Sequence, residues 1–139
     1  MSLRSGDLTV GECHTRLLTQ DLTRTQLVMY AGASGDFNPL HTDDVYAREA
    51  AGYPGVFAHG MLTMGLTARA LTDWVGDGRL TRYGVRFRSQ VWPGDTLSTR
   101  LTVTAVRDES GQSVVDLDVV TVNGAGDEVL RGYATARVD

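Results

Sequence analysis

The run of residues 60–74 constrains the fold more than any other part of the sequence. Apolar side chains lie most of the way around a helix built from this run, and only Arg69 and Asp73 are charged. A helix that is apolar on nearly all sides is usually buried. At about 1.5 Å per residue the run would span roughly 22 Å, which is enough to cross a small domain. The sequence therefore predicts a long central helix enclosed by the rest of the chain.

After the glycine-rich residues 76–78, apolar side chains alternate with polar ones at a period of two. Such alternation is typical of half-buried strands. It predicts four long antiparallel strands, at residues 82–91, 97–105, 115–119 and 129–138. The Pro-Gly-Asp sequence at residues 93–95 is interpreted as a hairpin turn. A further short strand is predicted near residues 15–18.

Helical signals precede these strands. Thr23 with Gln26 three positions later is a capping-box pattern and predicts a helix that begins at Thr23. Residues 43–50 are predicted as a second, short helix. Because helices come first and strands later, we expect residues 1–139 to form one α+β domain, in which a curved antiparallel sheet wraps the central helix. A single layer of sheet leaves an edge exposed, so we also expect a dimer.

Composition narrows the possible functions. The 139 residues are the size of one domain, and a net charge of −4 without a long basic run disfavours nucleic-acid binding. Cys13 is the single cysteine, which argues against a disulfide framework or a four-ligand zinc site and fits a cytoplasmic location. The sequence contains no run of 18 or more apolar residues, so no membrane span is predicted.

Asp36 and His41 are the candidate catalytic side chains. They lie five positions apart across the turn-forming sequence GDFNP, which can bring them to one side of a loop. Adding water to a double bond conjugated to a carbonyl requires a base for the water and a proton for the neighbouring carbon. An ionised aspartate and a neutral histidine that hold one water can supply both.

Gly60 is the candidate site for the electrophile. It lies where the central helix should begin, and the first N–H groups of a helix have no partner within the helix. Such groups favour negative charge, and a residue without a side chain allows close approach. We therefore expect the Gly60 N–H to stabilise charge that develops on a carbonyl oxygen.

These residues also have structural interpretations. The pattern Asp-x-Asn-Pro alone is most often a turn with an Asx cap, and a histidine such as His59 beside a glycine is more often a hydrogen-bonded loop or cap residue than a ligand. Asp36, His41 and His59 show no recognisable metal-ligand spacing, so no metal site is expected.

Two other sequence patterns could carry a function. Arg82, Arg86 and Arg88 are interpreted as a solvated strand face, with a phosphate-binding patch as the alternative. Cys13 and His14 are adjacent, so in a strand their side chains point to opposite faces and do not form a Cys–His nucleophile.

Taken together, these residues resemble the MaoC-like, R-specific enoyl thioester hydratase group of hot-dog folds. The resemblance rests on YA at residues 30–31, SGDFNPLH at 34–41, AHGML at 58–62 and VRFRSQVWPGD at 85–95. The combination is specific, although no single fragment is. It covers most of the chain, from about Leu22 to the end.

The resemblance implies a hot-dog fold with the helix after His59 at its centre. It implies that Asp36 and His41 are the catalytic pair, and that the Gly60 N–H binds the thioester oxygen. Ser34 and Asn38 would then shape the catalytic loop.

The same resemblance implies a substrate carried on coenzyme A or acyl carrier protein, with no metal and no cofactor. His59 and Ala68 are expected at the substrate site; Ala68 stands where some short-chain hydratases have a serine, which bears on acyl-length preference. The expected assembly is a homodimer, or a heterodimer with a related hot-dog chain. The rival functions are a hot-dog acyl thioesterase and a non-catalytic subunit of a dehydratase complex.

Overall fold

The computed structural model describes residues 3–139 and has the α+β architecture that the sequence predicts. Five strands form one antiparallel sheet, and a long helix packs against it. The helices are α1 (Arg24–Ser34) and α2 (Gly60–Val75). The strands are β1 (Cys13–Thr19), β2 (Leu80–Phe87), β3 (Leu97–Glu109), β4 (Gln112–Val122) and β5 (Glu128–Arg137).

Short helical turns join these elements. Ser5–Asp7 and Pro39–His41 are 3₁₀ turns, and Tyr46–Ala50 forms a π-type turn where the sequence predicts a short helix. At the start of α1, Thr23 accepts from the Gln26 N–H, and the Gln26 side chain accepts from the Thr23 N–H, so the predicted capping box is present. Two of the unpaired N–H groups at this helix end are thereby satisfied.

The strand order in the sheet is β1-β3-β4-β5-β2. The predicted hairpin turn at residues 93–95 is therefore wrong: β2 pairs with β5, and β3 lies three strands away. The turn instead holds the segment before α1, since Gly94 donates to the Leu22 carbonyl and Leu22 donates to the Asp95 carbonyl.

Strand β2 is also shorter than predicted. It ends at Phe87, whose register partner Leu130 lies near the start of β5. Beyond Phe87 little of β5 remains to pair with, so residues 88–91 leave the sheet. On β3, the register shifts between Val103 and Ala105. This bulge turns the partly exposed Ala105 off the predicted inner face, and Val106 packs against the core instead.

The main core lies between α2 and the inner face of the sheet. Leu71 and Val75 of α2 pack there against inward-facing residues of three strands: Leu101, Val103, Val115, Leu117, Val119, Leu130, Ala134 and Ala136. Polar groups at this interface are paired, as Thr67 and Thr121 hydroxyls lie 2.8 Å apart. Burying each of the larger aliphatic side chains contributes about 1.5–3 kcal/mol.

Helix α2 is less enclosed than its sequence predicts. Met61 is 58% exposed, and Gly65 and Arg69 are also exposed. The reason is geometric, because one sheet covers one side of a helix and leaves the other side open. No helix within residues 3–139 is long and apolar enough to span a bilayer.

Candidate functional site

The loop that carries Asp36 is ordered by a series of bonds from side chains to the backbone two residues onward. The Ser34 hydroxyl accepts from the Asp36 N–H at 3.2 Å, and Asp36 Oδ1 accepts from the Asn38 N–H at 3.2 Å. Asn38 Oδ1 then accepts from the Leu40 N–H at 3.0 Å. Short polar side chains support loops in this way, which explains the spacing of Ser, Asp and Asn in the sequence SGDFNP. Gly35 ends α1 with φ of 75°, a left-handed conformation that glycine adopts readily.

His41 follows this loop at the end of the Pro39–His41 turn. It is 9% exposed, and its Nδ1 lies 2.6 Å from the Phe57 carbonyl oxygen. A carbonyl can only accept, so Nδ1 carries the proton and donates. Nε2 of the neutral ring therefore keeps its lone pair and is available as an acceptor or a base.

His59 lies directly before α2 and is 1% exposed. Its Nε2 lies 3.1 Å from the Asp36 carbonyl oxygen and donates to it. Its Nδ1 is buried and has no hydrogen-bond partner among the described residues. Burial lowers the pKa of His59, and the nearby His41 lowers it further, against opposing contributions from the Asp36 backbone bond and carboxylate. The ring is therefore held neutral.

The two histidine rings stack. The ring centroids of His41 and His59 are 3.8 Å apart, with an interplanar angle of 26°. The Tyr30 ring packs edge-to-face with His59, with ring centroids 4.8 Å apart. Asp36, His41 and His59 bring one oxygen or nitrogen atom each within 4.8 Å of one another. The structure thus brings together the two side chains that the sequence singles out.

This cluster has the residue types of a metal site, and one ligand atom from each residue lies within 4.8 Å of the other two. His41 Nδ1 and His59 Nε2 are occupied by backbone carbonyls. Each histidine thus keeps one ring nitrogen that is not bonded to a backbone carbonyl, beside the exposed Asp36 carboxylate, an arrangement that suits proton transfer.

Gly60 begins α2, immediately after His59. Among the described residues no acceptor faces its N–H, as expected for the first turn of a helix. A Cβ at Gly60 would lie 3.1 Å from the ring of Phe87, so a side chain here would press on that ring. Gly60 and Phe87 border a cavity of about 290 Å³ together with Phe57, Ala58, Thr63, Arg88, Ser89, Gln90, Val91 and Val129. Asp36 and His41 do not line this cavity themselves; Phe57, which binds His41, connects them to it.

Asp44 bonds to the loop that precedes α2, a contact that the sequence did not predict. Its carboxylate accepts from the Val56 N–H at 3.0 Å and pairs with Arg24 at the start of α1. The Val56 bond and the Arg24 guanidinium lower the pKa of Asp44. Gly55 leaves room for the contact, because a Cβ there would lie 3.0 Å from Asp44 Oδ1. An Asp and an Arg twenty residues apart give no sequence signal for this pairing.

Ala68 lies farther along α2 and is partly buried. Among the described residues it lines neither the cavity at Gly60 nor the other larger cavities. It lies two helical turns beyond Gly60 along α2. Cys13 and His14 point to opposite faces of β1 as predicted: the Cys13 side chain is exposed, and His14 stacks on Trp74.

Comparison with known proteins places this chain in a family. The profile of the family described as MaoC like domain matches residues 9–124. The chain belongs to this family. The sequence motifs of this MaoC-like chain therefore indicated the correct family.

Among curated relatives, the 3-hydroxyacyl-thioester dehydratase Y of Mycobacterium tuberculosis is 37% identical over 111 residues. The match covers 78% of the MaoC-like chain but 37% of that relative, so this chain spans well under half of the relative's length.

Solved structures share the whole fold. The unliganded R-hydratase PhaJ1 from Pseudomonas aeruginosa superposes with a TM-score of 0.85 and 27% identity, over 99% of the MaoC-like chain and 86% of that chain. A chain of the ChsH1–ChsH2 complex from Mycobacterium tuberculosis superposes with a TM-score of 0.79 and 25% identity, covering 94% and 98% of the two chains. These similarities identify the sheet and α2 as a hot-dog fold.

Proposed function

We propose that this chain is a hydro-lyase that interconverts a trans-2-enoyl thioester and water with a (3R)-hydroxyacyl thioester. The observation that carries the proposal is the cluster in which Asp36 and His41 approach each other beside the N-terminus of α2. Membership of the MaoC-like family and the names of its relatives support the same reaction class.

Asp36 and His41 would hold and activate one water. The hydrogen bond of His41 Nδ1 to the Phe57 carbonyl leaves Nε2 to accept from that water. Asp36 is exposed toward the side from which a water can arrive, and it acts as the main base. The water oxygen adds to C3 of the enoyl group, and the proton it gave up is delivered by the pair to C2. Dehydration uses the same groups with their roles exchanged. General acid–base catalysis of this kind contributes about 10²–10⁴-fold.

The Gly60 N–H would stabilise the negative charge on the thioester oxygen as the enolate forms. Its support is the unpaired N–H at the start of α2 and the adjoining cavity. One such donor contributes roughly 10²–10³-fold to the rate. The ring of Phe87 forms the opposite wall of this subsite.

The other site residues take supporting roles in this proposal. Ser34 and Asn38 fix the Asp36 loop through the backbone bonds described above. His59 is too deeply buried to be reached by a ligand directly, so it acts as a positioning residue that holds the Asp36 carbonyl and the His41 ring. Ala68 lies two turns along α2, and we keep it as a candidate for contact with a longer acyl chain.

A second chain would complete the site. Large apolar side chains remain exposed in the single chain; Phe37 and Met61 adjoin site residues in sequence, Phe87 lines the cavity at Gly60, and Val28 and Met29 lie on α1. A dimer with a second copy or with a related hot-dog chain would cover them, and the paired chains ChsH1 and ChsH2 show that similar folds form complexes. Coenzyme A or acyl carrier protein would carry the substrate, with no metal or other cofactor. A cytoplasmic location remains a prediction from the sequence.

A hydration assay with crotonyl-CoA and chiral analysis of the product tests this proposal. We expect loss of the conjugated double bond and formation of (R)-3-hydroxybutyryl-CoA, without release of free thiol. An (S)-product contradicts the family mechanism, and thiol release in place of hydration indicates the rival thioesterase. Activity that appears only when a related chain is added identifies a hetero-complex.

A further inference from the structure

A second cavity, of about 450 Å³, lies as a groove between β2 and β5 on the face of the sheet that points away from α2. Arg86 and Arg131 reach this face because they alternate with Val85 and Leu130, which pack in the core. The residues that line the groove are Gly84, Val85, Arg86, Arg88, Arg131, Gly132 and Tyr133. Three of these seven residues are arginines, in a chain whose net charge is −4.

Close packing between β2 and β5 excludes side chains at two glycines that line the groove. Gly84 is the register partner of Tyr133, and a Cβ at Gly84 would lie 2.5 Å from the Tyr133 hydroxyl oxygen. A Cβ at Gly132 would lie 1.9 Å from the Gly84 carbonyl oxygen. Both positions therefore exclude a side chain. Gly84 lets the Tyr133 side chain lie across β2 on the groove face, whereas Gly132, the register partner of Val85, belongs to the opposite face.

The charges in the groove are unbalanced. Arg86 and Arg131 are register partners on neighbouring strands, and like charges in this position repel each other. Arg131 is paired with Glu128 at 2.9 Å and also interacts with Asp118. For Arg86 and Arg88, residues 3–139 provide no carboxylate within 4.0 Å. Two neighbouring arginines without a counter-ion attract an anion.

The groove and the cavity at Gly60 are neighbours. Arg88 lines both. Strand alternation sends Phe87 to the cavity and Arg86 to the groove, and Arg88 stands where the chain leaves β2. A ligand whose reactive end occupies the cavity can therefore extend past Arg88 to Arg86.

We propose that this groove binds the phosphate groups of the thioester carrier, with Arg86 and Arg88 as the ligands, while the acyl thioester occupies the cavity at Gly60. The inference rests on the proposed thioester chemistry. The planar guanidinium fork binds phosphate oxygens in pairs. Coenzyme A presents a pyrophosphate and a 3′-phosphate, and the phosphopantetheine arm of a carrier protein presents one phosphodiester, so organic phosphate is the chemistry common to both.

The test compares three crotonyl thioesters, those of coenzyme A, phosphopantetheine and pantetheine, in the wild-type protein and Arg86→Ala. Arg86 is the informative site because it lines the groove and not the cavity. We expect KM for crotonyl-CoA to rise roughly tenfold, the loss expected for one charge-assisted hydrogen bond in partial contact with water, with kcat unchanged. KM for crotonyl-pantetheine, which has no phosphate, should not change. Arg100→Ala is the matched control, since Arg100 is an exposed arginine of β3, three strands away from β2.

The KM for crotonyl-phosphopantetheine shows which phosphate of coenzyme A the groove binds. A KM increase shared with crotonyl-CoA assigns the groove to the 4′-phosphate, and an increase confined to crotonyl-CoA assigns it to the ADP phosphates; both support the proposal. An equal increase for crotonyl-pantetheine, or no increase for any substrate, overturns it.

Calorimetry of free coenzyme A against pantetheine separates this inference from the proposed reaction. Tighter binding of coenzyme A that is weakened in Arg86→Ala supports the groove even if no thioester is hydrated. Equal binding of the two compounds by the wild-type protein refutes it, whatever the activity.

Discussion

The sheet and the segment that overhangs it, residues 35–59, are ordered by different forces. The sheet is held by continuous backbone ladders and by the apolar core against α2. The overhang has no strand; backbone bonds within its short turns hold it, together with side-chain bonds to the backbone from Ser34, Asp36, Asn38 and Asp44 and the stacked histidines. Ala47, Val56 and Ala58 anchor it in a second, smaller core. The larger core thus lies in one region and the candidate chemistry in the other.

Because of this division, a small number of bonds determines the site geometry and contributes little to the free energy of unfolding. Net contributions of single hydrogen bonds are about 0.5–1.5 kcal/mol, whereas a buried Leu in the core contributes more. Substitutions in the overhang should therefore reduce the rate more than the stability, and substitutions in the core should do the reverse.

The largest effect is expected for Asp36→Asn in the overhang. The amide keeps an oxygen for the Asn38 N–H and so preserves the loop, but it removes the base. We expect kcat for crotonyl-CoA hydration to fall by about 10²–10⁴-fold, with an unchanged thermal unfolding midpoint.

Asp43→Asn provides the control for that variant. Asp43 is a nearby exposed carboxylate whose Oδ1 also accepts backbone bonds, from Val45 at 3.0 Å and Tyr46 at 3.1 Å. It should keep a rate close to wild type. A fully active Asp36→Asn protein would remove Asp36 from the mechanism, and a comparable loss in Asp43→Asn would show that the assay reports loop order rather than base chemistry.

Leu117→Ala tests the other side of the comparison. Leu117 is 2% exposed in the core between the sheet and α2. Chemical denaturation should show a loss of about 2–5 kcal/mol in unfolding free energy, while kcat of the folded fraction stays near wild type. Leu17→Ala makes the same chemical change at a site that is 50% exposed and should cost much less. Equal losses in the two variants would show that the core between sheet and helix does not dominate stability.

The smallest effect is the pH dependence contributed by His59, the residue that links the two regions. Its pKa is lowered by burial, so the unfolded chain binds a proton there more readily than the folded chain. The stability due to neutral His59 is therefore complete above about pH 6.5 and is lost as the pH falls through the lowered folded-state pKa. A tenfold difference in proton affinity between the folded and unfolded chains corresponds to about 1.4 kcal/mol of unfolding free energy.

Unfolding curves at several pH values between 7.5 and 5, for wild type and His59→Gln, measure this contribution; the difference between the proteins removes the background of the other titrating groups. Those that face His59 are His41, Asp36 and Tyr30. We expect a shallower decline in the variant. Parallel curves would show that His59 is not held neutral by the fold.

Much of the fold was accessible from local patterns. The capping box at Thr23 set the start of α1, and the apolar run after His59 gave α2. Alternation located β3, β4 and β5, because a period of two reports which face of a strand is buried. The spacing of Asp36 and His41 indicated the cluster, since turn-forming residues between them restrict where the side chains can go.

The rest depends on neighbours that are distant in sequence. Alternation does not say which strand lies beside which. The pairing of β2 with β5, which rules out the predicted hairpin at residues 93–95, is therefore visible only in the strand order of the whole sheet. The carbonyls of Phe57 and Asp36 hold the two histidines, and a backbone carbonyl has no signature in the sequence because every residue has one. The contacts of Asp44 with Arg24 and Val56, and the groove between β2 and β5, likewise exist only where separate segments meet.

The sequence alone thus determined the elements, the buried faces and the identity of the candidate proton-transfer residues, because periodicity, capping and turn chemistry act over a few residues. Only the tertiary structure decided which ring nitrogen stays free, how far α2 is covered and where unpaired arginines meet the cavity. Those properties depend on atoms contributed by several segments at once, and their geometry is fixed only when the sheet packs against the helix.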